Sequence, residues 1–189
     1  MPQILLLLML FIAGCGVMNN PKKGVTEPQG AENGANDASA MFRPAVEYIP
    51  VAKLPVTDEN SAFVNLYQNY VLFTGQKRAA QFFSEMHTSA QEMLSPKEQQ
   101  IVTSWINRIK ETDYSTRNLL FYPLLLEKDC NLTVSSDNNH TLTVSGNSCR
   151  NTPTFYPLFF NVDKQIPEVV LRIFSEGNVT VENRLIVVN

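Results

Sequence analysis

Asn131-Leu-Thr-Val-Ser-Ser136 and His140-Thr-Leu-Thr-Val-Ser145 alternate apolar and polar side chains around Asp137-Asn138-Asn139. Period-two alternation puts one set of side chains on each face of a strand, and a polar break between two such runs predicts a β-hairpin. For Leu132, Val134, Leu142 and Val144 to share the buried face, opposed positions must sum to an even number. Val134 is therefore expected opposite Leu142, and Leu132 opposite Val144. Cys130 then falls opposite Gly146, with Cys149 three residues further on.

On the N-terminal side of the hairpin the apolar period is helical. Asp58 can cap a helix with apolar positions Phe63, Leu66, Tyr67, Tyr70, Val71 and Phe73, stopped at Gly75. A second helix, from about Gln76 to Leu94, buries Ala79, Phe82, Phe83, Met86, Ala90 and Met93. Ser95-Pro96-Lys97-Glu98 is a capping box with proline at the first helical position, and Ile101, Val102, Trp105, Ile106 and Ile109 form the stripe of a third helix.

On the C-terminal side, Val169 to Phe174, Val179 to Val181 and Arg184 to Val188 read as further strands, turned at Ser175-Glu-Gly-Asn178; Pro167-Glu168 could instead open a short helix. Phe121-Tyr-Pro-Leu124 and Phe155-Tyr-Pro-Leu158 echo each other 34 residues apart. Proline in a strand is confined to edges, starts and bulges, so both copies are expected to bend at a sheet edge. Tyr122 and Tyr156, with Phe159 and Phe160, are expected to pack in the core against the helices; an aromatic surface for a protein partner is the alternative. Residues 58–189 are then a single α+β domain, about three N-terminal helices packed on a C-terminal antiparallel β-sheet.

Residues 16–40 differ in composition: four of the eight glycines lie there, with Pro, Asn, Glu and Lys, and only Val17, Met18 and Val25 are larger apolar residues. Such a segment cannot bury enough surface to fold. With Met41 to Thr57, where Pro44, Pro50 and Pro55 interrupt any regular element, residues 15–57 are expected to be a flexible tether with an r.m.s. reach of roughly 35 Å.

Before it comes Met1-Pro-Gln-Ile-Leu-Leu-Leu-Leu-Met-Leu-Phe-Ile-Ala-Gly-Cys15. The apolar run is about ten residues, half of what a membrane-spanning helix needs, and it ends in small residues before a cysteine. The segment resembles a bacterial lipoprotein signal peptide with its lipobox. The resemblance covers 15 of 189 residues. It implies removal of residues 1–14, lipidation of Cys15 and anchorage to a membrane on the periplasmic side. Gly16, in place of the Asp that retains such proteins in the inner membrane, implies the outer membrane. In that oxidising compartment the other two cysteines, Cys130 and Cys149, are left as one even pair bracketing the hairpin, and a disulfide staple is expected; free thiols or weak metal ligands are the cytosolic alternative.

Elimination narrows the chemistry. The histidines are His87, in the second predicted helix, and His140, at the hairpin tip. The chain has no Gly-x-Ser-x-Gly, phosphate-binding glycine loop or His-Glu-x-x-His, so it is read as a non-enzyme without cofactor or metal. Net charge is −3 with dispersed basic residues, which disfavours nucleic acid. The expectation is a protein-interaction or assembly component of an envelope complex such as a secretion, conjugation or pilus machine, with a membrane partner through the lipid and an envelope protein partner. Peptidoglycan binding is the alternative, although the Asn-x-x-Leu-Ser-x-x-Arg-Ala stretch of the OmpA-like family is absent; an unrecognised hydrolase is the third reading.

Overall fold

The computed structural model describes residues 43–137, 140–176 and 179–188. The signal segment, Cys15, the spacer to residue 42, the hairpin tip Asn138-Asn139 and the turn Gly177-Asn178 lie outside the described residues. In chain order the elements are β1 (Val46–Ile49), β2 (Leu54–Pro55), α1 (Ser61–Asn65), β3 (Val71–Phe73), α2 (Gln76–Met93), α3 (Pro96–Ile109), β4 (Arg117–Leu126), β5 (Asp129–Ser136), β6 (Thr141–Arg150), β7 (Thr154–Asp163), β8 (Glu168–Ser175) and β9 (Val179–Val187). The class is α+β.

Strands β4 and β7 are the spine. Both are almost continuously apolar, as strands covered on both faces must be, and they pair antiparallel from Arg117 opposite Asp163 to Leu126 opposite Thr154. Alternation divides their side chains between two cores. Leu119, Phe121, Phe155 and Phe159 join Phe83, Met86, Val102 and Trp105 of the helices, with Phe83 and Phe159 rings 6.0 Å apart and Trp105 and Phe155 6.1 Å apart. Leu120, Tyr122, Leu124, Tyr156, Leu158 and Phe160 instead join Leu142, Val144, Leu171 and Ile173 of a second sheet.

The antiparallel sheet expected as one is therefore two. The first, in order β1-β7-β4-β3 with β2 also on β7, is antiparallel throughout. The second, β5-β6-β8-β9, is mixed: β6 and β8 run parallel. Parallel neighbours need a crossover, and β7, seated in the other sheet, supplies it between β6 and β8.

The expected order, three helices and then strands, is also corrected. Three short strands lie before α2. Residues 43–57, assigned to the tether, contribute β1 and β2 and bury Val46, Ile49 and Leu54; the prolines there end edge segments instead of preventing them. The first helix closes after one turn, and Val71-Leu-Phe73, which continued its apparent stripe, pairs with Phe121, Leu120 and Leu119 of β4. Two apolar residues and an aromatic one satisfy a strand as readily as a helix face, and β4 offered an unpaired edge.

Helices α2 and α3 match the sequence reading closely. Ala79, Phe83, Met86 and Ala90 are buried on α2, whereas Met93 is exposed. Ser95 caps α3: its N–H donates to Glu98 Oε2 at 3.0 Å, its hydroxyl to the same oxygen at 2.5 Å, and Pro96 opens the helix. Desolvation pushes the Glu98 carboxyl up, and those bonds, with Asn60 Nδ2 donating to Glu98 Oε1 at 2.6 Å, together outweigh it and hold the carboxyl below its ordinary range. Trp105 is fully buried with its indole N–H on Ala52 C=O at 2.6 Å, which ties the helix layer to the segment between β1 and β2.

The hairpin keeps its expected face and loses its expected register. Leu142 and Val144 are buried and Leu132 and Val134 pack against them, yet Val134 stands opposite Val144 and Leu132 opposite Gly146. Turn chemistry sets the slip. Asp137 N–H donates to Thr141 C=O at 3.0 Å, the Asp137 carboxylate accepts Thr141 N–H at 2.8 Å, and His140 adopts φ 57°, so the turn closes one residue later than the alternation suggests.

Candidate functional site

Cys130 and Cys149 are bonded, with Cα atoms 4.0 Å apart. The register shifts by one residue between Asp129 and Asn131, and Ser148 takes φ 52°; this bulge carries Cys149 across from Cys130 in spite of the uneven spacing from Gly146. Beneath the bridge lies Tyr156. Its hydroxyl accepts the Cys130 N–H and shares its own proton between Cys130 C=O at 3.0 Å and Asp129 Oδ1 at 3.2 Å. Lys53 pairs with Asp129 and also reaches Cys130 C=O at 3.3 Å. Burial pushes the Tyr156 hydroxyl up to about 12, and Lys53 beside Asp129 holds that carboxyl below its ordinary range.

The candidate aromatic surface is interior. Tyr122, Tyr156, Phe159 and Phe160 are all buried, the last two completely, as core packing requires and the alternative partner surface does not allow. The second sheet covers Tyr122, Tyr156 and Phe160, and α2 covers Phe159. Tyr122 turns its hydroxyl to Glu182 of β9, and Arg184 of β9 sits over the rings of Tyr70 and Tyr122 at 5.6 and 5.9 Å. Burial first, and the Glu182 carboxylate after it, raise the Tyr122 hydroxyl far above its ordinary value.

A charged cleft that sequence reasoning missed lies where α3 ends and β4 begins. It encloses about 290 Å³ among Arg43, Glu47, Arg108, Glu111, Asp113 and Arg117. Arg117 is its floor, with a side chain only 8% exposed, Nη2 on Pro44 C=O at 3.0 Å and Nη1 3.9 Å from Glu47. Arg108 stands 3.7 Å from Glu111. Both ion pairs are longer than a direct hydrogen bond, which leaves the exposed Glu47, Arg108 and Glu111 able to turn toward a ligand while Arg117 stays fixed by Pro44. Ser115 and Thr116 donate to Asp113 and hold its carboxyl below the usual range. Three guanidiniums facing three carboxylates suit a small molecule or peptide end carrying both charges. A visible signal was the arginine that opens the apolar run of β4.

His87 is half-buried in a groove between α2 and α3, with Phe83, Ser84, Ile106 and Tyr114. His140 sits at the end of the β5–β6 hairpin, so the two histidines are in different layers. Among the described residues no group of three His, Cys, Asp or Glu side chains could hold a metal ion, and no helix is long and apolar enough to cross a membrane. Comparison of this chain with known protein families, with curated proteins and with solved structures finds no match.

Proposed function

We propose that this chain is a lipoprotein held in the outer membrane through Cys15, whose folded domain acts in the periplasm as an interaction or assembly subunit of an envelope complex, for example a secretion, conjugation or pilus machine. The observation that carries the reading is the Cys130–Cys149 bridge. Structural disulfides persist in oxidising compartments, and a chain that opens with Ile12-Ala-Gly-Cys15 and closes a staple inside its domain has the chemistry of an exported, tethered protein. Crosslinking in intact cells followed by mass spectrometry tests the partner. Repeated recovery of the same envelope proteins is expected, and recovery of none above a Cys15→Ser control would contradict the reading.

The cleft at Arg117 favours one second reading, peptidoglycan binding. A peptide stem of the wall carries carboxylates and an ammonium group, to which the guanidiniums and carboxylates of the cleft are complementary. Retention on purified cell-wall sacculi that drops with Arg108→Ala would support it. Absence of retention by the wild type would remove it.

A further inference from the structure

Strand β9 ends the second sheet: it pairs with β8 and, among the described residues, with no other strand. The N–H and C=O groups along such an edge are a template for another strand. On its outer face Val181 is 43% exposed, Leu185 53% and Val187 63%. On its inner face Arg184 Nη2 and Glu182 Oε1 are paired at 2.8 Å, and Tyr70 and Tyr122 hold those two side chains in place. Around Asn183 the order is apolar, acid, amide, base, apolar: Val181-Glu-Asn-Arg-Leu185. Read in reverse, it exchanges acid for base.

We propose that β9 pairs antiparallel with β9 of a second copy about a twofold axis through Asn183, joining two sheets into one. Opposed residues of an antiparallel pair point to the same face, so the axis must fall on a residue and not between two. An axis on Glu182 or Arg184 would set like charges against each other. On Leu185 it would leave Arg184 opposite Ile186 and Glu182 opposite Val188. Only the Asn183 axis sets Glu182 against Arg184 and Val181 against Leu185, each twice, which is the self-complementarity that an isologous contact requires. A bulge at Val181, where Ile173 faces Glu182 and Phe174 faces Thr180, bends the strand; the ladder is therefore carried by residues 182–184, with Val181 and Leu185 closing over it. The charges on this edge specify one register while the apolar face adds buried area. This goes beyond the envelope-partner reading and does not depend on the lipid.

The test uses the full chain in intact cells. Asn183→Cys would place two thiols on the twofold axis with Cα atoms about 4.5 to 5.5 Å apart, inside the range a disulfide spans. Ser135→Cys, on β5 at the opposite edge, is the control. After treatment of the cells with the thiol oxidant diamide, which takes up the two electrons and two protons that two thiols lose in forming a disulfide, a covalent dimer on a non-reducing gel is expected from Asn183→Cys and not from Ser135→Cys. Adding Arg184→Glu should abolish it, and adding Glu182→Arg as well should restore it, which separates a lost pairing from a lost fold. No dimer from Asn183→Cys at normal protein level, or equal dimer from both cysteines, would overturn the proposal. A dimer insensitive to Arg184→Glu, or not restored by the charge swap, would overturn the register on which it stands.

Discussion

Pro123 of β4 lies directly opposite Pro157 of β7, in the middle of the longest strand pair of the fold. Two opposed prolines are compatible with an antiparallel ladder only at a non-hydrogen-bonded pair, where the missing N–H groups point outward. Outward, neither is paired with another strand among the described residues. Strand β3 pairs with β4 only as far as Phe121, and on β7 the pairing with β2 ends at Phe155 and that with β1 begins at Phe159. The repeated Phe-Tyr-Pro-Leu is thus one central contact seen from both strands, and not two bends at an edge. Because no ladder bond is missing, Pro123→Ala or Pro157→Ala should cost only about 0.4–1 kcal/mol, through the freer unfolded chain. Leu120→Pro, between Leu72 and Phe160, should prevent folding. Denaturant unfolding of the three variants checks the contrast.

The disulfide has a companion constraint at Gly146. A Cβ there would stand 3.1 Å from Cys130 Cβ and 3.3 Å from Cys130 Sγ, so the glycine admits the bridge. Gly146→Ala should destabilise the domain by about 1–3 kcal/mol by overpacking. Replacing both Cys130 and Cys149 by Ala should cost about 2–5 kcal/mol, mostly by releasing the unfolded chain. In that background alanine keeps the Cβ contact at 3.1 Å and removes only the Sγ contact at 3.3 Å, so the cost of Gly146→Ala should shrink only in part, a coupling that a double-mutant cycle measures.

Stability should fall at both ends of the pH range for separate reasons. Asp129 is held below its ordinary range by Lys53, so its contribution is full above the unfolded value and disappears as pH falls through the lower folded value, below about pH 4. Tyr114 and Tyr156 are pushed up to about 12 by burial, and Tyr122 further. A phenol raised in the folded state stabilises below its unfolded value near pH 10 and loses that contribution as pH rises from about 10 to 12. Absorbance of phenolate should therefore show these three tyrosines ionising late, together with loss of the fold. Early, independent ionisation of Tyr156 would contradict its place under the bridge.

The domain should begin before residue 46 and not at 58. Trp105 holds Ala52, Arg117 holds Pro44, and Leu54 is wholly buried. Limited proteolysis with a nonspecific protease should leave a core whose first residue precedes Val46 and in which the Lys53-Leu54 bond survives. A stable core starting after Thr57 would contradict the strand assignments. Trp105→Phe should cost about 1–3 kcal/mol, because the carbonyl of Ala52 loses its buried donor.

What was legible in the sequence was local. Ser95-Pro96 and Glu98 announce α3, the stripe Ala79, Phe83, Met86 and Ala90 announces α2, and alternation names the faces of β5 and β6, since each signal is complete within a few residues. What was lost depended on distant partners. Val46 to Ile49 and Val71 to Phe73 are strands only because β7 and β4 offer them edges. Parallel pairing of β6 with β8 required knowing that β7 leaves for another sheet. The charged cleft was invisible for the same reason: Arg43, Glu47, Arg108 and Arg117 come from segments up to about seventy residues apart and meet only in the fold. The core packing expected of the aromatic residues is found, but Tyr122, Tyr156 and Phe160 pack under a second sheet, which no local pattern predicts, and only Phe159 packs under the helices.

Anchorage of this chain in the outer membrane rests on Cys15, and metabolic labelling with radioactive palmitate tests it most directly. Cells making the wild type should incorporate label into a band that fractionates with the outer membrane. Cys15→Ser should abolish both the label and the membrane retention while the Cys130–Cys149 domain remains folded. A wild-type protein that carries no label and stays soluble without detergent would contradict the account.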